Sequence, residues 1–329
     1  DLDKFKKFKN IAIIGMGGSI LGSEAIRDFL REKLKKNIYF FDDIDENKII
    51  KFKKKKEFKK ILYIVISKSG NTIETVSNFL YLDVLKKNAK NIIIISEKKN
   101  NFLYNLTKKY NFRYIEHKDY IGGRYSVLSE VGIIPAYLMG VNISSLRKNT
   151  SKFLYGKNRA YLKENSLKLM QSLKSKKMSS IVFLNYSPRL EKFLFWTQQL
   201  IAESLGKKSK GLLPVVSNLP RDNHSMMQLY LDGPSTNFYT FFDVLDHSKN
   251  NHLANIKLAQ KYATQTIFKR KKIPFRSFDL LDRSESSLGE MFTFFMLETI
   301  LIGEALNLDP FNQPAVELIK IETKKILNI

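Results

Sequence analysis

Two α/β units, each a mainly parallel sheet flanked by helices, are predicted by three features of this 329-residue sequence. First, the apolar runs NIAIIG (10–15), ILYIVI (61–66) and IIII (92–95) are β-branched and do not alternate with polar residues, the pattern of strands buried on both faces. Second, these runs alternate with stretches whose apolar spacing fits amphipathic helices, which places crossover helices over a parallel sheet. Third, the length exceeds one typical domain, and the strand–helix alternation starts afresh in the second half.

Taken in order, a strand at 10–15 leads through MGGSILG (16–22) to a helix over 23–35 and a strand at 38–41. The basic segment 51–60 precedes the strand at 61–66 and an amphipathic pattern, VSNFLYLDVLKK, at 76–87. A strand at 92–95, a helix near 102–109 and a strand at 112–115 follow. The loop 117–124 then opens a helix that contains Pro135 and ends near Gly140. The aperiodic stretch 141–150 predicts the boundary, giving a first domain at 1–145 and a second at 146–329. The second half reads as a helix to 174, a strand at 181–185, a helix at 190–205, strands at 212–216 and 238–242, and a helix at 253–268. A strand at 275–278, a buried helix at 286–306 and a closing helix at 314–327 complete it. A cleft between two such halves, at the carboxyl ends of the strands, is the expected ligand site.

The formal charge of +24 raises nucleic acid or an acidic membrane as partners. The excess is mostly lysine in runs such as KFKKKKEFKK (51–60), without the interleaved aromatic platform of a single-strand binder, so a solvated lysine surface is expected and no nucleic-acid partner. There is no cysteine, which removes disulfides and thiolate metal sites and suits a reducing compartment. The most apolar helix, near 291–305, is interrupted by Glu298 and Glu304 and reads as too short between charges to span a bilayer. No signal peptide is found, and the start at Asp1 predicts a processed or truncated N-terminus. A soluble, cytoplasmic protein is expected, with no membrane partner. No His/Asp/Glu group has ligand spacing, so no metal is expected.

Chemistry concentrates at 61–75, ILYIVISKSGNTIET. A buried strand that ends in Ser67, Lys68, Ser69, Gly70, Asn71, Thr72 and Thr75 and then opens a helix has what a phosphate requires: free backbone N–H groups, the positive end of a helix dipole and short hydroxyl donors. An ordinary N-capped strand-to-helix turn, with Thr72 or Asn71 as cap, has the same appearance on this segment alone. GMGGSILG (15–22) is a glycine turn that lets backbone and Ser19 approach a ligand. It is not a dinucleotide fingerprint, because Ile20 stands where the third glycine belongs, and there is no Gly-Lys-Ser/Thr for a P-loop.

Several stretches together resemble the glucose-6-phosphate isomerase (phosphoglucose isomerase) family, built from two sugar-isomerase (SIS) domains. They are IGMGGSILG (14–22), SKSGNTIET (67–75), GGRYSVLSEVG (122–132), AESLGKKSKG (202–211), DNHSMMQLYLDG (222–233) and NQPAVELIK (312–320), in the family's order and over nearly the whole chain. The resemblance implies a fold of two SIS-type αβα sandwiches plus a C-terminal helix. It implies reversible isomerisation of glucose 6-phosphate and fructose 6-phosphate through ring opening and a cis-enediol, a step of glycolysis and gluconeogenesis, with no cofactor and in a homodimer. Ser67, Lys68, Ser69, Thr72 and Thr75 would hold the sugar phosphate, with Gly18 and Ser19 lining the sugar and Gln313 also binding substrate.

By the same resemblance Arg124 would place a permanent charge near the enediolate oxygens, a task suited to a group that cannot lose its proton. Glu203 would be the base that carries a proton between adjacent carbons; a helical glutamate outside this motif more often faces solvent. His224, supplied across the subunit boundary, and Lys320 would open the sugar ring. Of the other histidines, His117 lies near Gly122-Gly123-Arg124, and His247 and His252 read as surface residues. NQPAVELIK departs from the family in Ala315 and Ile319, where glycines are usual, while Gln313 and Glu317 match. The chain is also shorter than typical members and lacks their helical N-terminal region. A bifunctional phosphoglucose/phosphomannose isomerase and a non-catalytic SIS sugar-phosphate sensor are the alternatives.

Overall fold

The structure, a computed structural model, describes residues 2–175, 178–246 and 251–328; His247 lies outside the described residues. Strands β1 (Asn10–Ile14), β2 (Asn37–Phe41), β3 (Ile61–Ile66), β4 (Ile92–Ser96) and β5 (Arg113–Glu116) form one sheet in the order β2-β1-β3-β4-β5. Strands β6 (Ser180–Asn185), β7 (Leu213–Asn218), β8 (Asn237–Val244) and β9 (Phe275–Leu280) form the other, in the order β7-β6-β8-β9. All neighbouring strands run parallel, with Ile13 opposite Phe40 and Ile64, and Ile64 opposite Ile93. Every residue of β3 is buried, as its unbroken β-branched run requires.

Crossover helices α1 (Leu21–Phe29), α2 (Glu46–Lys53), α3 (Ile73–Tyr81) and α4 (Phe102–Tyr110) cover the first sheet. The chain then passes through α5 (Glu130–Met139), α6 (Ile143–Arg147) and α7 (Gly156–Lys174) to the second sheet, with its α8 (Glu191–Leu205), α9 (Met227–Asp232), α10 (His252–Arg270) and α11 (Glu285–Ala305). The last helix, α12 (Pro314–Leu327), has no buried residue.

One continuous apolar core joins the facing sides of the two sheets through Ile26, Phe29, Phe193, Trp196, Phe292 and Phe295, while Phe79 and Phe268 belong to separate cores on the outer sides. Trp196 meets Phe292 edge to face, 4.8 Å between centroids, and donates its indole N–H to the carbonyl of Arg124 at 3.1 Å. Aromatic packing thereby fixes α8 against the first half of the chain.

The order β2-β1-β3 positions the site. α1 leaves β1 toward the inner core and α3 leaves β3 toward the outer core, as the burial of Ile26 and Phe79 records. Where consecutive crossovers diverge, a crevice opens at the carboxyl ends of the strands. The two turns singled out in the sequence, Gly17–Ser19 after β1 and 67–72 after β3, both lie there.

Several boundaries differ from expectation for identifiable reasons. Glu46–Lys53 form α2, which the lysine run conceals; Asp45 accepts from the Lys48 N–H as its cap, and Ile49 and Phe52 are its buried face. α3 ends at Tyr81, although the apolar pattern continues to 87, because Asp83 takes a left-handed φ of 56°. α1 ends at Phe29 and gives way to a 3-10 turn at Arg31–Lys33. The stretch 141–150, expected to be aperiodic, contains α6, capped by Asn142, and the expected 145/146 boundary falls inside it.

α11 is long and apolar enough, by length and composition, to cross a membrane, but 56% of that window is buried inside the fold. Glu298, which interrupts its apolar run, is buried in a two-pronged pair with Arg276 on β9, at 2.5 and 2.8 Å. A second network ties the buried Lys261 on α10 to the exposed Asp279 at 2.5 Å and to the buried Asp243 at 3.6 Å. Pairing of this kind is what permits charges in a core.

Candidate active site

Arg124 is the hub of the site. Gly18 puts it there, because a side chain at 18 would place its Cβ 2.3 Å from the Gly123 carbonyl carbon and 2.5 Å from the Arg124 nitrogen. Only glycine lets the turn after β1 lie against the Gly123–Leu128 turn. The Arg124 side chain is buried, and it draws in two separate parts of the chain, 203–204 and 310–313. Nε donates to Ser204 Oγ at 2.7 Å, and Nη1 donates to Glu203 Oε2 at 3.1 Å and to Gln313 Oε1 at 2.8 Å. Nη2 donates to the carbonyls of Pro310 at 2.6 Å and Asn312 at 3.0 Å. Tyr125 adds a hydroxyl to Ser204 at 3.0 Å, and burial pushes its phenol above the usual range.

The five N–H groups of Arg124 meet five protein acceptors. Its fixed charge lies beside the Glu203 carboxylate, which it holds by one bond.

Glu203 lies in the last turn of α8, partly exposed, with Oε2 on Arg124 and Oε1 accepting from Gln199 Nε2 at 2.9 Å. Gln199 is a candidate site residue that the sequence analysis does not single out. It stands one turn before Glu203, the i to i+4 spacing that places two side chains on one helix face. A Cβ at Gly17 would come within 2.8 Å of its Nε2, and its buried Oε1 has no hydrogen-bond partner among the described residues. An unsatisfied buried acceptor beside a glycine turn has the form of a group that awaits a ligand hydroxyl.

The hydroxyl turn is built as a second element. Ser67 and Thr72 join through their hydroxyls at 2.9 Å, so Thr72 stands at the N-cap of α3 without capping it through its side chain. Asn71 does not cap α3 either; its Oδ1 accepts from the Phe102 N–H at the start of α4, whose own cap is Asn101, at 2.8 Å. The start of α3 is therefore left without a side-chain cap. Thr75, fully buried, has an Oγ1 with no partner. Gly70 takes a φ of 66°, and a Cβ there would fall 1.9 Å from Asn101 Oδ1. Ser69 is exposed and accepts from the Asn71 N–H at 3.3 Å. Lys68 points to the neighbouring loop, where Nζ donates to the Asp119 carbonyl at 2.7 Å and lies 3.8 Å from Glu97. Ser19 is half-buried in the turn after β1.

Gln313 thus joins Arg124 and Glu203, whereas two expected residues do not. His224 is exposed at the end of the 3-10 turn Arg221–His224. Lys320 is exposed on α12 and bonded to Glu317 of its own helix at 2.6 Å, about 10 Å along the axis from Gln313 at 1.5 Å per residue. Among the described residues neither bonds to Glu203 or Arg124. No group of three or more metal-ligating side chains occurs among the described residues.

Two parallel αβα units, with a hydroxyl turn at the switch point of one and a carboxylate from the other held on arginine, define an SIS-type phosphosugar isomerase. Residues 3–237 match the family model described as phosphoglucose isomerase. The probable glucose-6-phosphate isomerase of Methanococcus maripaludis is 34% identical, over 96% of this chain and 80% of its own length. The glucose-6-phosphate isomerase of Methanocaldococcus jannaschii is 31% identical, over 99% of this chain and 86% of its own. In fold, the crystal structure of a glucose-6-phosphate isomerase from Chlamydia trachomatis aligns with a TM-score of 0.82 at 20% identity, covering 99% of this chain and 71% of that one. The chain belongs to the phosphoglucose isomerase family.

Proposed function

We infer that this chain catalyses the reversible isomerisation of glucose 6-phosphate and fructose 6-phosphate. The observation that carries this reading is the Glu203 carboxylate, held between Arg124 and Gln199 across from the Gly17–Ser19 turn. In the open-chain aldose, Glu203 takes the proton from C2 to leave a C1–C2 enediolate; a proton passes from O2 to O1, and the proton on Glu203 returns to C1 to give the ketose. One carboxylate reaches both carbons from one side, which is why a single base suffices. The Ser67–Thr75 turn is our proposed phosphate site, with Thr75 Oγ1 and the uncapped start of α3 as donors. His224 and Lys320 are proposed for ring opening. A sensor would require only the turn, and the network on Glu203 favours the enzyme. The test is a coupled assay: glucose 6-phosphate formation from fructose 6-phosphate is expected, and no turnover would remove the reading.

Ser69→Ala/Thr72→Ala tests the phosphate site. Hydrogen bonds to a charged group are worth about 1.5–3 kcal/mol each. Competitive inhibition by a sugar-acid phosphate should weaken at least about tenfold, since about 1.4 kcal/mol corresponds to tenfold. Unchanged inhibition would remove the assignment.

We propose further that the active species is a cytoplasmic homodimer, with the first domain at 1–145 and the second at 146–329. The absence of cysteine suits a reducing compartment. α12 leaves Leu318, Ile319, Ile321 and Ile326 more than half exposed, a stripe that a second copy would cover. Among the described residues His224 and Lys320 are exposed and make no bond to Glu203 or Arg124 within one chain, which supports a shared site. Mixing His224→Ala with Glu203→Gln protein should restore partial activity after subunit exchange, because one cleft of a mixed dimer keeps both groups. Verified exchange without recovery would exclude the shared site.

A further inference from the structure

The mechanism leaves one buried titratable pair unused. His117 follows β5 and is buried, and its Nδ1 lies 2.5 Å from Oε1 of Glu130, the first residue of α5. The same carboxylate oxygen accepts the Lys118 N–H at 3.2 Å, and the His117 N–H bonds the Ser96 carbonyl at the end of β4 at 2.8 Å. A carboxylate can only accept, so Nδ1 carries the proton and the other ring nitrogen is the bare one in the neutral ring. That Nε2 is buried with no partner among the described residues. An imidazole kept at the cost of an unsatisfied nitrogen is kept for its other bond.

The bond closes the loop 117–130 on itself. This loop contains both contact points with the site: the Asp119 carbonyl, which accepts from Lys68 of the hydroxyl turn, and Arg124, which holds Glu203. Between them lie Gly122 and Gly123, which contribute little stiffness of their own. Burial alone would raise the Glu130 carboxyl, but the His117 bond and the backbone donors at Glu130 and Lys118 outweigh it and hold the group below its usual range. The carboxylate therefore remains an acceptor throughout the neutral range.

We propose that His117 and Glu130 are a positioning pair for the isomerase reaction, closing the loop that sets Arg124 against Glu203. The kinetic part of this proposal rests on the isomerase reading, and the structural part does not. The pair touches no reacting atom, so its loss should lower kcat more than it raises KM.

The experiment compares His117→Ala, His117→Asn and Glu130→Ala in the full chain by steady-state kinetics and by amide hydrogen exchange without substrate. Asparagine can present an N–H where Nδ1 lies and is the rescuing variant. His117→Ala and Glu130→Ala should each lower kcat about tenfold with KM within about threefold, as small misplacements of catalytic groups do. The double variant should be no worse than either single one. His117→Asn should recover most of the loss, and exchange should quicken across 118–129 but not across 61–80 in the alanine variants. Normal kcat in His117→Ala would overturn the proposal, as would equal impairment of His117→Asn and His117→Ala, or exchange that quickens everywhere. A wild-type protein inactive on glucose 6-phosphate would instead remove the isomerase reading, and the exchange pattern would still decide whether the pair closes the loop.

Discussion

Glu203→Gln should lower kcat by roughly 10²–10⁴, the usual worth of a general base, while substrate affinity changes little. The site explains why the variant should fold and bind. Both carboxylate oxygens receive donors, one from Gln199 and one from Arg124, so an amide nitrogen at 203 would face a donor wherever it pointed. Gln199 resolves the conflict by turning its own amide, whose oxygen has no partner at present. Size, burial and the network survive, and only the capacity to accept a proton is lost. Anomer interconversion of fructose 6-phosphate, which relies on ring-opening groups, should persist in the variant. Near wild-type isomerisation would mean that Glu203 is an ordinary helix residue.

Arg124→Lys, nominally conservative, should be nearly as damaging. An ammonium has three N–H groups, whereas the guanidinium serves Ser204, Glu203, Gln313 and the carbonyls of Pro310 and Asn312, so at least two of these five acceptors lose their donor. Each buried acceptor left unmade costs about 1–3 kcal/mol, so the melting temperature should drop by several degrees, at about 2–4 °C per kcal/mol for a large domain. The larger effect is on catalysis. Glu203 and the segment 310–313 would no longer share one anchor, and kcat should fall about a hundredfold, the cost of roughly ångström-scale misplacement. Thermal melting and steady-state kinetics on the same preparation check both expectations. Wild-type kcat in Arg124→Lys would show that the anchor is dispensable.

What was legible in the sequence was local. β3 and its hydroxyl turn are contiguous, so their burial, strand character and helix start could be read from 61–75. Arg124 and Glu203 were identifiable from short motifs, but their contact spans 79 residues and follows from the Gly18–Gly123 approach, which no local pattern encodes. The link from Arg124 to Gln313, 189 residues away, is less accessible still, because it depends on where the segment after α11 returns. Gln199 had a readable signal, its i, i+4 relation to Glu203, but a glutamine among apolar and polar helix residues does not announce a role. α2 was hidden by lysines, which suit a helix exterior as well as a loop and swamp the two buried positions Ile49 and Phe52. The His117–Glu130 bond belongs to the same class of contact, made across a turn and invisible to periodicity.

The central claim is that a proton, carried by Glu203, passes between C2 and C1 of an open-chain sugar phosphate. It is tested most directly by running the reaction from fructose 6-phosphate in deuterated water and locating the label in the glucose 6-phosphate formed. A carboxylate partly open to solvent, as Glu203 is, exchanges the proton it holds, so deuterium should appear at C2 in at least part of the product. Label should be absent with Glu203→Gln, because little product forms. Product formed at full rate with C2 unlabelled would mean a direct hydride shift and would contradict the account.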